Sequence, residues 1–214
     1  MIATKLGGKR LPDKSWAPAL RPEELRQGAE EDLRTLRLER LDVVHLRYMP
    51  ASSVPFLESL DALLALQAAG KIRHLALSNV GARELELALA RTPIVAVQNL
   101  YNVAGDADMF AQRSRAEVGD PDTVLDLCTQ KNIAYLPFFP LAVGNVAKTN
   151  PALSAIARAH GASPAQIALA WLLARSPIML PIPGTSSVEH LEENWEARRI
   201  ALSPEDVAAI ARRE

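Results

Sequence analysis

The sequence predicts an α/β fold of the (β/α)8 TIM-barrel type, carried by a single domain over residues 1–214. Three observations lead there. Short apolar runs alternate with helical patterns from end to end. The runs are nearly continuous, the pattern of strands covered on both faces and hence of parallel sheet. Repeated βα units allow an open doubly wound sheet or a closed barrel. An open dinucleotide-binding sheet should carry G-x-G-x-x-G in its first βα turn, and "KLGGKRL" does not match. The missing fingerprint favours the barrel. The barrel reads as incomplete, with about six of the eight βα units expected of this fold.

The strand candidates are "MIAT" at the start, "LDVVHLR" (41–47), "IRHLALSN" (72–79), "IVAVQNL" (94–100), "IAYLPFF" (133–139) and "IMLPIP" (178–183). Between them, Leu25, Ala29, Leu33 and Leu36 recur at helical spacing across 23–37. Phe56, Leu60, Leu63, Leu64 and Gln67 do the same across 56–69, with Gly70 as a stop. A shorter helix is predicted over 82–90. Later helix starts are marked by a cap residue before proline: Asp120-Pro121, Asn150-Pro151, Ser163-Pro164 and Ser203-Pro204. Proline suits the first helical position, having no N–H to leave unpaired. Ser163 with Gln166 also fits a capping box, as does Ser186 with Glu189. The stretch 102–120 is polar and aperiodic and reads as a long loop, of a length more often functional than structural.

Composition narrows the function classes. Apolar residues make up 49%, charged residues 23%, and the net charge is −1. No basic excess suggests nucleic acid. No uncharged apolar run reaches the roughly 18 residues of a membrane span, and no signal peptide opens the chain. A cytoplasmic location is the expectation. The single cysteine, Cys128, leaves no intrachain disulfide and no multi-Cys zinc site, and no metal is expected. It sits in a helical pattern, where a small buried side chain is the plainer reading than a nucleophile.

Four stretches at strand ends carry candidate chemistry, and in a barrel those ends form the active-site face. In "LPIPGTSSVEHLEENW" (180–195) a strand runs into Gly184, Thr185, Ser186 and Ser187 and then a helix. Such N–H groups and hydroxyls at a positive helix end suit a phosphate, although a well-capped helix without a ligand has the same pattern. In "LALSNVG" and "VAVQNLYN", Ser78, Asn79 and Gln98 end apolar strands. Together they could grip a ligand carboxamide, or form a satisfied interior polar cluster. In "LDVVHLR", His45 lies on a strand, where it is either a packed residue or a catalyst. Lys5 has the same two readings at the end of the first strand.

Taken in order, "IATK", "LDVVHL", "GKIRHLALSN", "VAVQNLYN", "IAYLPFFPLAVG", "SPAQIALAWLL" and "PIPGTSSVEHLEENW" resemble the aldo-keto reductase family over essentially the whole chain. The resemblance implies a (β/α)8 barrel, a nicotinamide cofactor and reduction of small aldehydes or ketones. It gives Lys5 and His45 the family's catalytic lysine and histidine. Ser78, Asn79 and Gln98 match residues that hold the nicotinamide carboxamide, and Phe138 the ring stacked on it. Gly184, Thr185 and Ser186 match the loop at the adenosine phosphate, and Glu193 and Asn194 the adenine contacts. The family often has a basic residue where this chain has Gly184, and an arginine where it has His190. Those losses weaken the argument for a 2′-phosphate. "IPGTSSVEHLEEN" is nevertheless a recognisable family variant, and NADP(H) is expected rather than NAD(H).

The resemblance also implies an N-terminally incomplete chain. In the family, two strands with their helices precede "IATK" and carry an aspartate in a D-T-A-like motif and a tyrosine. Neither motif occurs here, and Tyr48, Tyr101 and Tyr135 lie in other segments. The chain is thus expected to begin at the third barrel strand. Residual turnover is the expectation, because general acid catalysis contributes about 10²–10⁴ in rate. Open sheet edges invite pairing with other chains, so self-association through them is expected as well. The alternative is a non-catalytic remnant that binds NADP(H) or a partner protein.

Overall fold

The structure, a computed structural model, describes residues 1–105, 116–144 and 150–211. It divides into two compact units, Met1–Gln98 with Val118–Leu127, and Asn99–Glu117 with Cys128–Glu214.

The first unit is built on four parallel strands in the order β1 (Ala3–Leu6), β4 (Leu41–Arg47), β5 (Ile72–Ser78) and β6 (Ile94–Gln98). The helices α1 (Pro22–Leu36), α2 (Phe56–Ala68) and α3 (Ala82–Leu89) fall between them in sequence. The predicted βα alternation is therefore present, with boundaries within a residue or two. Leu25, Ala29 and Leu33 form the buried stripe of α1, and Leu60 and Leu63 that of α2. On the strands, Val44, Leu46, Leu75 and Leu77 on one face, and Val43, His45 and Ala76 on the other, are all buried. Such a two-sided covering is what the continuous apolar runs demand. The one buried polar side chain of α2, Ser59, donates its hydroxyl proton to the carbonyl of Leu20 at 2.9 Å.

A hairpin of β2 (Gly8–Arg10) and β3 (Trp16–Pro18) follows β1. Its three-residue strands lie in a polar stretch with no alternation to betray them. What holds it is tertiary: the Trp16 ring lies under two guanidinium groups, Arg10 at 5.1 Å and Arg47 at 4.3 Å. Gly7, between β1 and this hairpin, has φ +106, and a Cβ there would lie 2.4 Å from the carbonyl oxygen of Arg47. Only glycine lets the chain turn so close to the end of β4.

Two expected strands are corrected. The run 133–139 yields β7 (Ala134–Tyr135) and an isolated bridge from Phe138 to Leu100, and 178–183 is not a strand but a single bridge, Tyr135 with Met179. The N–H of Tyr135 donates to the carbonyl of Ile178 at 2.9 Å, and its carbonyl accepts from the N–H of Leu180 at 2.8 Å. Pro137 in one run, and Pro181 and Pro183 in the other, lack the N–H a ladder needs.

The helices α4 (Pro121–Lys131), α5 (Pro151–His160), α6 (Pro164–Arg175), α7 (Val188–Glu196) and α8 (Pro204–Ala211) complete the chain. The cap residues read from the sequence are used. Asp120 accepts from the Thr123 hydroxyl at 3.4 Å. Asn150 accepts from Ala152 N–H at 3.2 Å and, being buried, donates its amide to the carbonyl of Ile210 at 3.0 Å. Ser163 and Gln166 form the reciprocal box, as do Ser203 and Asp206. The core of the second unit is the run Ile167–Leu172 of α6. Tyr101 stacks on Trp171 there, their ring centroids 5.9 Å apart, and its hydroxyl accepts from Arg175 at 3.0 Å. Cys128 is fully buried and burial pushes its thiol up to about 12, which fits a packing role. The expected loop is corrected in part: its described residues form a turn at 103–105 and are helical at 116–118, and residues 106–115 lie outside the described residues. No helix among the described residues is long and apolar enough to cross a membrane.

Candidate active site

Parallel register sets the first group of site residues. Lys5 on β1 is the Cα partner of His45 on β4, which is the partner of Ala76 on β5, and Ser78 is paired with Gln98 on β6. Residues in register point to the same face, and alternation along each strand keeps Arg47 and Ser78 with His45 and Ala76. The ammonium of Lys5 donates to Oε1 of Gln98. These strands are three spacings apart in the sheet, about 14 Å if it were flat. The contact closes only because the sheet curls toward this face, as the wall of a barrel does.

The electrostatics follow from burial. His45 is 2% exposed. Its Nδ1 lies 3.3 Å from the carbonyl oxygen of Thr4. A carbonyl can only accept, so Nδ1 carries the proton of a neutral ring. Nε2 is then the lone-pair nitrogen, and among the described residues it is buried without a partner. Burial, reinforced by the charge on Lys5 and opposed by the Thr4 carbonyl, lowers the pKa of His45 to about 4. Lys5 itself is lowered to about 8, first by burial and then by the like charge of Arg47. Arg47 too is lowered by burial.

Ser78 is buried at the end of β5, and its carbonyl accepts from the N–H of Tyr48 at 2.9 Å. Asn79 turns the chain out of the strand at φ 59, a conformation asparagine tolerates. Its side-chain amide donates to the carbonyl of Tyr48 at 3.0 Å and its N–H to the carbonyl of Gln98 at 3.2 Å. Lys5, His45, Ser78 and Gln98 therefore share one face, while the Asn79 amide is engaged in holding the strand ends together.

In the second unit a cavity of about 690 Å³ gathers Phe138, Gly184, Thr185, Glu193 and Asn194. Ser186 is not among its lining residues. The capping box expected at Ser186 and Glu189 is also corrected. The N-cap is Ser187, in extended backbone, and its hydroxyl accepts from the N–H of His190 at 3.3 Å. The Thr185 hydroxyl accepts from the N–H of Ser187 at 3.1 Å, folding the loop into a turn ahead of α7. Gln166 of α6 donates to the carbonyl of Glu193 at 3.0 Å, which anchors α7 although none of its residues is buried.

Sequence reasoning passed over Phe139 and Leu141, which line the same cavity. Phe139 holds φ 51, rare for a bulky side chain, and its carbonyl accepts from Asn102 at 3.0 Å and from the N–H of Ala142 at 3.0 Å. The signal for them is the doubled aromatic in "LPFFP", of which the family resemblance gives a role to one ring alone.

The sequence pattern of the aldo/keto reductase family matches residues 1–213. The chain belongs to the aldo/keto reductase family. It is similar to the pyridoxine 4-dehydrogenase of Escherichia coli (strain K12), 42% identical over 98% of this chain and 70% of that protein. The chain spans from 64% to 70% of the length of three curated relatives it matches. Among solved structures, the thermostable aldo-keto reductase Tm1743, in complex with the inhibitor epalrestat, superposes with a TM-score of 0.76 at 32% identity. That match covers 90% of this chain and 67% of that one. An aldo-keto reductase from Klebsiella pneumoniae, solved with NADPH, superposes with a TM-score of 0.71 at 26% identity, covering 97% and 67%. The fold class expected from the βα alternation therefore stands. The family is one of oxidoreductases, and NADP(H) is its typical cofactor.

Proposed function

We propose that this chain binds NADP(H) and transfers hydride between it and a small carbonyl compound or the matching alcohol. The observation that carries this reading is the set of Lys5, His45, Ser78 and Gln98 on one curled sheet face, with Lys5 bonded to Gln98. When bound, the reduced nicotinamide supplies the hydride.

The residues have separable tasks. Gln98 presents its carbonyl oxygen to Lys5, so its two amide protons are left to donate to a carboxamide oxygen. Ser78 beside it offers a second hydroxyl partner. In the second unit Phe138 provides an aromatic face, and Gly184, Thr185 and Ser186 form the turn for a phosphate. Glu193 and Asn194 supply polar contacts for an adenine. Thr185 keeps its hydroxyl proton only weakly engaged, at 3.4 Å from the carbonyl of Ser187, so it is available to an anion.

His45 orients the reacting oxygen. With Nδ1–H directed at Thr4, Nε2 accepts a hydrogen bond, and the partner that donates one is a hydroxyl, the alcohol side of the reaction. Donation to a carbonyl oxygen would need either the Nε2–H tautomer, which gives up the hydrogen bond to Thr4, or the imidazolium, which a pKa of about 4 makes rare at neutral pH. Lys5 supplies positive charge where negative charge develops on that oxygen, in a buried setting where it acts strongly.

A fluorescence titration with NADPH, followed by an assay with pyridoxal and with a simple reactive aldehyde, tests this. The expected result is saturable binding with aldehyde-dependent loss of NADPH. Binding without turnover would leave a cofactor-binding chain and overturn the catalytic half of the reading.

A further inference from the structure

Around Lys5 the first unit gathers positive charge. Arg10 and Trp16 are register partners across the hairpin, and Arg47 closes β4 two residues after His45. The guanidinium groups of Arg10 and Arg47 lie 5.1 Å and 4.3 Å from the centroid of the Trp16 ring. Burial first, and then the charge of Arg47, lowers the pKa of Lys5, so Arg47 is felt at the strand face as well as at the hairpin. The hairpin's own carboxylate, Asp13, accepts from the hydroxyl of Ser15 at 2.6 Å. Glu24, which reaches Lys9 of the hairpin, also pairs with Arg21. Among the described residues neither Arg10 nor Arg47 has a carboxylate partner.

Like charges held together without a counter-ion repel one another, and the half-burial of Arg47 raises that cost. Stacking on an indole occupies the face of a guanidinium and leaves its in-plane N–H donors free. Such a fork matches an oxyanion, which accepts two parallel N–H bonds from it. The Trp16 ring is 50% exposed, so aromatic surface beside the fork is left for the carbon body of a ligand. Gly8 gives the Arg47 side chain its path: a Cβ there would lie 3.3 Å from both Cδ and Nη1 of Arg47.

We infer that Arg47 and Arg10, stacked on Trp16, receive an oxyanion on the substrate, so that the carbonyl compound taken by this chain carries a carboxylate or a phosphate. The inference rests on the reading of Lys5 and His45 as the residues that handle the carbonyl. Strand alternation puts His45 and Arg47 on one face, two residues or about 7 Å apart. One benzene ring or a short carbon chain bridges that span. A bound oxyanion offsets the repulsion among Lys5, Arg10 and Arg47, which a neutral substrate leaves in place. The expected preference is about tenfold in affinity, the low end for hydrogen bonds that involve a charged group.

The test is equilibrium binding to the full chain, which needs no turnover. 4-(Hydroxymethyl)benzoate is compared with its methyl ester, and glycerol 3-phosphate with glycerol, by calorimetry at low salt with NADPH present. The two pairs separate carboxylate from phosphate. The charged member of at least one pair is expected to bind about tenfold tighter, and the preference to shrink as salt is added. Arg47→Met is expected to bring the ratio close to one. Arg10 is exposed, so Arg10→Met spares the core, and it is expected to lower the ratio about threefold. No preference for either anion in the unsubstituted chain, or a preference undiminished in either variant, overturns the subsite. A loss of NADPH affinity in Arg47→Met as large as the loss of anion preference would make Arg47 a cofactor contact and overturn it too. Titration with NADPH alone separates the two failures. Saturable NADPH binding without an anion preference overturns this inference by itself, and loss of both overturns the underlying reading with it.

Discussion

The two groups of candidate residues, one in each unit, are built on opposite principles. In the first unit the polar groups stand inside strands, with their neighbours on either side set by a ladder of backbone hydrogen bonds. Burial there moves the pKa of His45 down to about 4 and that of Lys5 to about 8. In the second unit the polar groups stand on a turn and a helix end, exposed, and the helix is anchored by one amide from Gln166. A buried polar group with few partners costs stability and gains electrostatic strength. An exposed one is cheap to change and weak on its own. On the proposed function, chemistry therefore falls to the strand-borne group and cofactor contacts to the helix end.

The largest test of that contrast is Lys5→Met. Loss of a preorganised charge beside the reacting oxygen is expected to lower kcat by about 10²–10³-fold. The same substitution removes a buried charge, so stability at neutral pH should hold or rise in urea melts. A parallel loss of both would mean that Lys5 is a structural lysine.

Next is Gly7→Ala, which places a methyl group 2.4 Å from the Arg47 carbonyl and demands φ +106 of an L residue. A destabilisation of roughly 1–3 kcal/mol is expected, read from the urea midpoint, with Leu6 and Lys5 shifted by the same disturbance. Little change in midpoint would show that the turn after β1 is soft.

The acid limb of stability comes third. The pKa of His45 is depressed to about 4 from an ordinary 6.5, so the unfolded chain binds the extra proton first. Its neutral, buried ring is tolerated fully above pH 6.5, and stability is lost as the pH falls from there toward 4. His45→Gln should flatten that limb between about pH 6.5 and 4.5, measured as urea midpoints. An unchanged limb would place the acid sensitivity elsewhere.

The smallest effect belongs to the second unit. Ser187→Ala removes the side-chain cap of α7 and is expected to cost about 1 kcal/mol in stability. It should weaken NADPH binding by a few fold and leave kcat nearly alone. A collapse of kcat instead would erase the distinction between the two regions.

Much of this is legible in the amino-acid sequence through local chemistry. The apolar runs mark four parallel strands, because a strand covered on both faces has no place for polar alternation. Asn150, Ser163 and Ser203 mark helix starts, because a cap and a following proline act over one turn of chain. Lys5, His45, Ser78 and Gln98 are readable as strand-end polar residues. Their union is not, since it depends on a curl that brings β1 to β6.

Sequence by itself determined the order of strands and helices and the residue types available at each strand end, for these follow from periodicity and local hydrogen bonding. Tertiary structure alone decided the rest. It assembled the hairpin around Trp16, reduced the proline-bearing runs at 133–139 and 178–183 to a two-residue strand and two isolated bridges, and moved the cap of α7 to Ser187. It also left Nε2 of His45 buried without a partner among the described residues. Each of these depends on which distant group arrives within a few ångströms, and short-range pattern carries no record of that.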